Sequence, residues 1–475
     1  MNRRIKELIF TLSLLLFSSF YSHAQYINNI IEYRPAPGQY INAVPAGTPF
    51  SAQTVKDSIT GMVNLGSFGG YIVFSFDEPV QNDPANPYGV DFTIFGNPLT
   101  YWSEPGIVSV MKDDNGNGQA DDTWYELAGS DYFFSTTIKD YEVSYTNPEQ
   151  SSAADVPWSD NHGNTGYIYA NSYNTQPYYP QTDSFPEINS NSYTLAGTYI
   201  KDSIDTSDPM QTRSYPRAFG YADNRSRGAA PYSLPDNPYT RTIENSGGDA
   251  FDIGWAVDKE GNYVDLESID FIKVHTAVLA NAGVAGELST EITGAVDVPP
   301  DNTIGGISDM IVIKELPPEL NSREYQMEVF VYHMGRLHQG PEINWSANMA
   351  GATVDENNKL SVNSAGELNI TATLASDSRV TASVSTVVTT AAVGINEMTA
   401  GSQIRIYPNP ASSFVKISGF KEAEVSIYDI TGHRLKHINR YTENSSIPLA
   451  DFPEGIYLFR ISRDNISVIK KVIKR

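Results

Sequence analysis

The chain has 475 residues, no cysteine and a formal net charge of −24 at pH 7, which excludes disulfides, a thiol nucleophile and an N-terminal lipid-modified cysteine. Residues 25–401 hold 17 basic and 48 acidic residues, a net charge of −31, whereas residues 402–475 hold 12 basic and 7 acidic residues, a net charge of +5. The acidic body disfavours binding to nucleic acid and to anionic membranes.

Residues 1–24 have the pattern of a secretory signal peptide. Three basic residues precede a short apolar run, LIFTLSLLLFSSF, and Ser22-His23-Ala24 forms a small-x-small cleavage site. The run is short for a transmembrane helix, which needs about 20 apolar residues. We expect export with cleavage after Ala24 and no transmembrane segment, and a membrane anchor is the alternative.

Residues 25–304 predict a β-sandwich or jelly roll in an all-β chain. Short runs such as GGYIVFSFDEPV and IDFIKVHTAV are rich in β-branched and aromatic residues and are separated by Gly, Asn, Pro and Asp. After the signal peptide, no segment keeps a helical period over three turns. Residues 150–245 form a long irregular segment whose many tyrosines argue against disorder.

The stretch VMKDDNGNGQADDTW predicts a calcium-binding loop. Its oxygen-bearing side chains follow the pattern D-x-N-x-N-G-x-x-D, which suits a cation that takes six to eight oxygen ligands. The twelfth position is Trp124, so the loop departs from an EF-hand and resembles the strand–loop–strand calcium hairpins of integrin-type repeats. That resemblance implies the ligands Asp113, Asn115, Asn117, the Gln119 carbonyl and Asp121. A β-hairpin with an Asn-Gly turn is the alternative.

A second acidic set is a weaker candidate for a cation site. The pattern GVDFTIFGN, WSEP and then GGDAFD resembles a recurrent family of bacterial cell-surface sandwich domains. The resemblance implies an ion shared between two sheets, with ligands drawn from Asp91, Asn97, Glu104, Asp249 and Asp252. Ordinary turn acids are the alternative in so acidic a chain.

Motifs for catalysis are missing. The sequence has no H-E-x-x-H, G-x-S-x-G or P-loop motif. Residues 25–304 contain only His162 and His275, and two scattered histidines do not make a zinc site; His333 and His338 lie in residues 305–395. We therefore predict a protein that is not an enzyme, although a glycosidase would need only two suitably spaced carboxylates.

A group of tyrosines separated by asparagines is a candidate ligand-binding surface. Tyrosine offers a rigid stacking face and asparagine offers adaptable hydrogen bonds, a combination found in binding loops. The candidate residues are Tyr167, Tyr169, Tyr173, Tyr178 and Tyr179. The alternative is that these rings pack the long segment onto a sheet.

Residues 305–395 resemble a bacterial immunoglobulin-like domain of group 2. Trp345 lies in the predicted strand INWSA, the stretch ATVD precedes a turn at Glu356-Asn357-Asn358, and an alternating strand follows Gly366. The resemblance implies a β-sandwich that acts as a spacer or adhesion module. Residues 396–401 are predicted to be a linker.

Residues 402–475 resemble the type A sorting domain of the type IX secretion system of Bacteroidota. The resemblance implies a small β-sandwich, export across the outer membrane, and partners in the type IX translocon and the tail-processing machinery. Removal of the tail would leave a protein that is attached to the cell surface or released. The residues that carry the resemblance are Tyr407, Pro408, Asn409, Pro410, Gly432, Gly455, Tyr457, Lys470 and Lys471.

These features together predict an exported, non-catalytic, cell-surface protein that binds a small molecule or a glycan. The stretch FGNPLTYWSEPGIVSVMKDDNGNGQADDTWYELAGSDY is similar to surface proteins associated with outer-membrane cobalamin uptake, which implies cobalamin as the ligand. Two alternatives remain: a carbohydrate-active enzyme, and an adhesin or matrix protein.

Overall fold

The computed structural model describes residues 26–208, 211–226, 228, 234–389, 404–419, 421–430, 432–463 and 466–475. The predicted signal peptide and the predicted linker 396–401 lie outside these residues. The chain divides into two compact units. The first comprises Met1–Glu315, Met327–Ser346 and Ile370–Val384, and the second comprises Leu316–Gln326, Ala347–Asn369 and Ser385–Arg475.

The predicted all-β class is confirmed, and the described residues contain a single α-helix of five residues, α1 (Pro49–Gln53). The strands up to residue 304 are β1 (Asn29–Arg34), β2 (Val63–Asn64), β3 (Tyr71–Ser75), β4 (Val80–Gln81), β5 (Phe92–Phe95), β6 (Gly106–Met111), β7 (Trp124–Leu127), β8 (Ile138–Thr146), β9 (Val156–Asp160), β10 (Thr165–Ile168), β11 (Ser192–Tyr199), β12 (Ile204–Asp205), β13 (Arg213–Ser214), β14 (Asp249–Phe251), β15 (Ala256–Val257), β16 (Ser268–Ile269), β17 (Phe271–Thr276), β18 (Glu291–Ile292) and β19 (Gly294–Asp297).

The later strands are β20 (Asp309–Ile313), β21 (Glu319–Leu320), β22 (Glu324–Gln326), β23 (Val329–His333), β24 (Arg336–Leu337), β25 (Ile343–Ala347), β26 (Thr353–Val354), β27 (Lys359–Ser361), β28 (Gly366–Leu374), β29 (Thr381–Val388), β30 (Arg405–Tyr407), β31 (Phe414–Ser418), β32 (Glu422–Tyr428), β33 (Arg434–Thr442), β34 (Ser446–Pro448), β35 (Gly455–Arg463) and β36 (Ile466–Lys474). Short 3-10 turns lie at Pro87–Gly89, Ile253–Trp255 and Gly283–Ala285.

The largest sheet has six strands in the order β1-β3-β17-β6-β7-β15. Strands β6 and β17 lie inside it and pair antiparallel, with Phe271 opposite Met111 and Thr276 opposite Gly106. Their sequences, GIVSVM and FIKVHT, are almost continuously buried, as expected for strands covered on both faces. The sheet thus provides the frame for the loops that enter and leave β6.

A second sheet has the order β10-β9-β8-β11 and shows strict alternation. Tyr141, Val143 and Tyr145 of β8 face the core, whereas Glu142 is exposed. Strand β11 pairs with β8 so that Tyr193 lies opposite Tyr145. The period of two predicted for half-buried strands is therefore present.

The core of the first unit extends past residue 304, where the sequence predicted a domain boundary. Tyr332 of β23 is fully buried, and its hydroxyl donates to the Ser130 carbonyl oxygen at 3.0 Å. The Trp255 indole N–H donates to the Met334 carbonyl oxygen at 3.0 Å. Strand β23 pairs with β20 and β24 in a three-stranded sheet, all within this unit. The region predicted as a separate Ig-like domain is thus divided between the two units.

Local features predicted for that region are present. Trp345 lies on β25, and Asn358 has a positive φ of 59° in the turn between β26 and β27. The Asp355 carboxylate accepts the N–H groups of Asn357 and Lys359 at 2.9 Å each, which fixes this turn.

The C-terminal residues form the small β-fold that was predicted. Two sheets, β30-β31-β34 and β33-β32-β35-β36, enclose a core that includes Val425, Phe459 and Val472. Gly432 has a φ of 85° and donates its N–H to the Asp429 carbonyl oxygen at 3.1 Å, closing the hairpin between β32 and β33. Among the described residues, no helix is both long enough and apolar enough to cross a membrane.

Candidate functional site

The predicted calcium loop connects two neighbouring strands of the six-stranded sheet. Strands β6 and β7 pair antiparallel, and Met111 lies opposite Trp124 where the loop begins and ends. The loop therefore joins strand to strand, as the comparison with integrin-type repeats implied, and Trp124 stands in a strand rather than in an EF-hand helix.

The loop brings its predicted ligand side chains together. The Asp113 carboxylate accepts N–H groups from Gly116 at 2.8 Å, Asn117 at 3.1 Å and Gly118 at 2.7 Å. The side-chain amides of Asn115 and Asn117 both donate to Asp121, at 3.1 to 3.2 Å. Rotation of either amide group by half a turn would present its oxygen toward Asp121 instead. Calcium binding by this exposed loop stays a prediction.

Gln119 was predicted to contribute its carbonyl oxygen. Its N–H donates to the Asn117 side-chain oxygen at 2.7 Å, which places Gln119 on the same turn as the acidic and amide side chains.

Asp121→Ala is expected to reduce the calcium-induced rise in melting temperature while leaving the melting temperature in EDTA unchanged. Without calcium, the substitution removes only exposed amide contacts, which contribute within about 0.5 kcal/mol. Asp113→Ala is less informative, because it removes three backbone hydrogen bonds with or without calcium. Thermal unfolding followed by circular dichroism checks the prediction, with Asp114→Ala as an exposed control. A rise as large as that of the wild type would contradict it.

The second predicted acidic set is not assembled as one site. Asp91 and Asp252 are both buried, and burial first, then the charge of Asp252, raises the pKa of Asp91. Asp249 instead accepts the N–H groups of Asn224 at 2.9 Å and Arg225 at 3.1 Å. Among the described residues, the acids that lie within ligand distance of one another at Glu104 are Asp223 and Glu291, and the predicted members Asp91, Asp249 and Asp252 are not in that group.

Asn97 contacts Asp223, a residue that clusters with Glu104. Its backbone N–H donates to the Asp223 carboxylate at 2.9 Å, so its main chain and not its side chain contributes there. Glu104 itself is in a cluster with Asp223 and Glu291, in which one carboxylate oxygen from each residue lies within 4.8 Å of the others. Sequence reasoning missed both partners.

The acidic cluster formed by Glu104, Asp223 and Glu291 is deeply buried, with exposed fractions of 8%, 0% and 4%. Burial raises the pKa of Glu104 to about 7. Burial first, and then the charges of the neighbouring carboxylates, raises the pKa values of Asp223 and Glu291. The cluster therefore holds protons or a cation near neutral pH.

The first unit also contains a cavity of about 710 Å³ with a mixed apolar and cationic lining. Leu99, Tyr101, Tyr215 and Ile243 contribute apolar and aromatic surface, and Leu99 and Tyr101 are well exposed. The Tyr101 and Tyr215 rings meet edge to face at 6.0 Å. The cationic lining residues are Lys201, Arg217, Arg225, Arg241 and Lys314, and the acidic ones are Asp131, Asp202 and Glu315.

Some of the cationic side chains at the cavity are already in ion pairs, whereas others are not. Arg217 pairs with Asp131 at 3.2 Å, and Lys314 pairs with Glu328. Lys201 and Arg241 are exposed, and neither forms an ion pair within the described part of the chain. In a body with a net charge of −31, two free cations beside aromatic surface mark a site suited to an anion.

Tyr101 is held in an unusual backbone conformation at the cavity. Its φ of 61° lies in the left-handed region, which aromatic residues rarely adopt. The Ser214 N–H donates to the Tyr101 carbonyl oxygen at 2.9 Å, and the Arg213 guanidinium lies 5.4 Å from the centre of the Tyr101 ring. These contacts hold the half-exposed ring in place. Sequence reasoning did not single out Tyr101, because its contacts with Arg213 and Ser214 come from residues more than 100 positions further along the chain.

The predicted tyrosine surface divides into two parts. Tyr178 and Tyr179 are buried, and the Tyr179 hydroxyl donates to the Asn189 carbonyl oxygen at 2.6 Å, as the packing alternative requires. Tyr167, Tyr169 and Tyr173 are exposed, and the first two rings lie 6.0 Å apart. None of the five lines the cavity.

His162 and His275 have different surroundings, and neither belongs to a group of three metal-ligating side chains among the described residues. His275 is buried, its Nε2 lies 3.2 Å from the Thr198 carbonyl oxygen, and burial lowers its pKa to about 4. His162 is exposed beside the Tyr141 ring.

The sorting-domain motif residues contact the end of the chain. The Asn409 side-chain amide donates to the Lys471 carbonyl oxygen at 2.8 Å, and its oxygen accepts the Ile473 N–H at 2.9 Å. The Tyr407 hydroxyl donates to the Asn444 side chain at 2.6 Å, and the Tyr457 hydroxyl donates to the Pro453 carbonyl oxygen at 2.7 Å. Pro408 and Pro410 flank Asn409, Gly455 begins β35, and Lys470 and Lys471 lie on β36.

Asn409→Ala is expected to loosen β36 and to reduce export. The substitution removes two hydrogen bonds to the terminal strand, each contributing about 1 kcal/mol. Limited proteolysis of the purified protein and secretion from the source cells check this result. Asn439→Ala, at an exposed position of β33, is the control. Equal protease resistance of the two variants would contradict the role given to Asn409.

Comparison with known protein families finds one match, to the secretion system C-terminal sorting domain, over residues 405–475. No curated protein matches the chain at a significant level.

Among solved structures, titin domains Z1Z2 in complex with telethonin share 12% identity over 35% of this chain and 95% of that chain, with a TM-score of 0.16. The Escherichia coli adhesin FdeC shares 7% identity over 44% of this chain and 78% of that chain, with a TM-score of 0.15. Extracellular domains 3–5 of Drosophila OTK share 12% identity over 46% of this chain and 83% of that chain, also with a TM-score of 0.15. TM-scores this low carry no argument about fold or function.

The family match agrees with the fold of residues 405–475 and with the motif residues that the structure brings together. This segment is a sorting domain of the type IX secretion system, which indicates interaction with the secretion machinery and delivery to the cell surface or the extracellular space.

Proposed function

We propose that this exported protein is a non-catalytic ligand-capture protein of the cell surface of a bacterium of the Bacteroidota. Its signal peptide would be cleaved after Ala24, and its sorting tail would be removed after export. The ligand would be a small organic molecule with an anionic group, bound in the cavity of the first unit. The single observation that carries the proposal is the cavity's combination of exposed aromatic surface and free cations.

The size and lining of the cavity support this ligand class. A volume of about 710 Å³ lies within the range of small-molecule sites, about 300 to 1,000 Å³. Tyr101 and Tyr215 offer ring faces and edges for an aromatic group. Lys201 and Arg241 both line the cavity, and they can neutralise an anion without first breaking an ion pair.

Cobalamin is the first ligand to test, because the sequence resembles surface proteins associated with its uptake. Cobalamin is too large to be enclosed by this cavity. Its nucleotide end, however, carries an aromatic base and a phosphodiester, which match the aromatic and cationic lining. We therefore expect that end of the molecule to insert.

Calorimetric titration of the purified protein with cobalamin and with cobinamide tests this expectation. Cobinamide lacks the nucleotide end, so it is expected to bind at least tenfold more weakly. Tight binding of cobalamin without chemical change would support capture. Equal binding of both compounds would contradict insertion of the nucleotide end, and binding of neither would remove cobalamin as the ligand.

Paired variants locate the site. Tyr101→Ala and Lys201→Gln are each expected to weaken binding about tenfold, equivalent to about 1.4 kcal/mol. Tyr173→Ala and Lys259→Gln make the same chemical changes at exposed positions away from the cavity lining and should leave binding unchanged. If only Tyr173→Ala weakened binding, the exposed tyrosine surface would be the site, as an adhesin or a glycan-binding protein would require.

A hydrolase is the second candidate, because the acidic cluster has carboxylates with raised pKa values. Its members are buried, however, whereas a glycosidase presents its acid pair to the substrate. Release of reducing sugars from a glycan panel by the wild type, and its loss in Glu104→Gln, would favour the hydrolase.

We also propose that the loop of Asp113, Asn115, Asn117, Gln119 and Asp121 binds a structural calcium ion. Support comes from the convergence of its carboxylates and amides. Neutral asparagines at two of the ligand positions favour weak affinity, with a Kd of about 10⁻⁴ to 10⁻³ M, as in extracellular modules.

A further inference from the structure

The acidic cluster consists of three side chains that can only accept hydrogen bonds when ionised. Each comes from a different part of the chain: Glu104 precedes β6, Asp223 follows the turn at Gly220, and Glu291 begins β18. Within the described residues, no ion pair joins any of the three to a lysine, arginine or histidine. Like charges at this spacing in a buried site repel strongly unless something positive lies between them.

The surrounding hydrogen bonds fix the carboxylates in place but leave the cluster incomplete. The Ser289 N–H donates to Glu104 at 3.0 Å, and the Glu291 N–H donates to Asp223 at 2.8 Å. The Asn64 amide and the Ser289 hydroxyl both donate to Oε1 of Glu291. Oε2 of Glu291, on a side chain that is 96% buried, has no hydrogen-bond partner. This oxygen is therefore available either to share a proton with a neighbouring carboxylate or to bind a cation.

We infer that Glu104, Asp223 and Glu291 bind a calcium ion in the interior of the first unit. One carboxylate oxygen from each residue lies within 4.8 Å of the others, so all three can reach one ion. Magnesium usually keeps several waters and is seldom enclosed by protein ligands alone, which favours calcium in so buried a cluster. An all-oxygen set without histidine or cysteine disfavours zinc.

The surroundings supply one further oxygen atom. The Ser289 hydroxyl lies 3.3 Å from Oε1 of Glu291. Asn64 presents its amide N–H group to that oxygen, and its own side-chain oxygen accepts the Gly66 N–H at 2.8 Å.

The ion would tie three distant segments together. Glu104 and Asp223 are also joined through their main chains, because the Glu104 N–H donates to the Asp223 carbonyl oxygen at 3.0 Å. Glu291 joins the same group from β18, which pairs with β2. Calcium at this point would therefore act on the stability of the whole first unit, in contrast to a calcium ion in the exposed loop at Asp113.

Calorimetric titration of the calcium-free protein with CaCl₂, together with thermal unfolding in EDTA and in calcium, tests the inference. The wild type is expected to bind calcium and to melt at a higher temperature in calcium. Glu291→Gln and Asp223→Asn are each expected to weaken binding at this site at least tenfold and to abolish most of the rise. In EDTA both variants should melt at or above the wild-type temperature, because each removes one buried negative charge.

Asp121→Ala is the matched control, because it alters the exposed loop and leaves the acidic cluster intact. It is expected to keep the calcium bound by the cluster and the larger part of the rise in melting temperature. The inference is overturned if Glu291→Gln and Asp223→Asn bind calcium as the wild type does. It is equally overturned if Asp121→Ala abolishes all calcium binding.

Discussion

Asp252→Asn is expected to raise the free energy of unfolding above pH 7 in the absence of calcium. Asp252 and Asp91 are buried carboxylates whose charges interact, and burial raises the pKa of Asp252 to about 7. Asn keeps an oxygen for the Gly254 N–H, which donates to Asp252 at 2.6 Å. The substitution therefore removes the buried charge and retains the turn.

The direction of the pH dependence follows from the raised pKa. A carboxyl group with a higher pKa in the folded state binds its proton more tightly when folded. Its contribution to the free energy of unfolding is fully present below pH 4, near the pKa of the unfolded state. This contribution is lost as the pH rises through about 7, the pKa in the folded state. An increase in the pKa from 3.8 to about 7 corresponds to about 4 kcal/mol at most. The Gly254 N–H and then the charge of Arg336 oppose this increase in the pKa of Asp252, and burial first, then the charge of Asp252, raises the pKa of Tyr239.

Urea denaturation in EDTA from pH 5 to pH 9 measures this effect. Wild-type stability should fall more steeply with pH than that of Asp252→Asn. Asp114→Asn, which makes the same charge change at an exposed loop position, should follow the wild type. Parallel curves for the wild type and Asp252→Asn would contradict the account of the Asp91–Asp252 pair.

A chain that ends at residue 304 is expected not to fold cooperatively. The truncation removes Tyr332, Met310 and Val312 from the core of the first unit. Each buried side chain contributes about 1.5 to 3 kcal/mol, so the loss approaches the total stability of an ordinary domain. Near-ultraviolet circular dichroism and urea denaturation of residues 26–304 and 26–389 check the prediction. Equal unfolding midpoints for the two chains would contradict the prediction and would support a domain boundary at residue 304.

A pair of glycine substitutions tests the same packing without truncation. A Cβ at Gly335 would lie 1.9 Å from the Trp255 indole nitrogen, whereas a Cβ at Gly340 would meet no atom within 4 Å. Both glycines have positive φ, 68° and 81°, so both alanine variants carry a similar backbone strain of about 1 to 2 kcal/mol. Gly335→Ala should therefore destabilise the protein clearly more than Gly340→Ala.

Local sequence patterns predicted the elements that local physics determines. The alternation of apolar and polar residues predicted the β class. The polar run between two apolar strands predicted the β6–β7 hairpin, and the position of Gly432 predicted a hairpin in the C-terminal domain. The sorting motif was also recognisable, because its residues recur at close spacing. These features depend on neighbours in the chain.

Features that depend on distant contacts were not predictable. Glu104, Asp223 and Glu291 meet across segments more than 60 residues apart, and only the stretch GELSTEITG, with acids inside a strand-like run, hinted at a role for Glu291. Tyr173 and Tyr178 have similar sequence surroundings, yet one is exposed and the other is buried. The side chains that cover β23 come from residues far back in the chain, so the boundary at 304 looked plausible.

Hydrogen–deuterium exchange of the purified protein with and without cobalamin tests the central claim, capture in the cavity, most directly. We predict protection of the cavity segments around Tyr101, Tyr215 and Arg241, with no change around Tyr167 to Tyr173 and with weaker protection by cobinamide at the same concentration. Protection confined to the exposed tyrosines, or none in any cavity segment while calorimetry reports binding, would contradict the account.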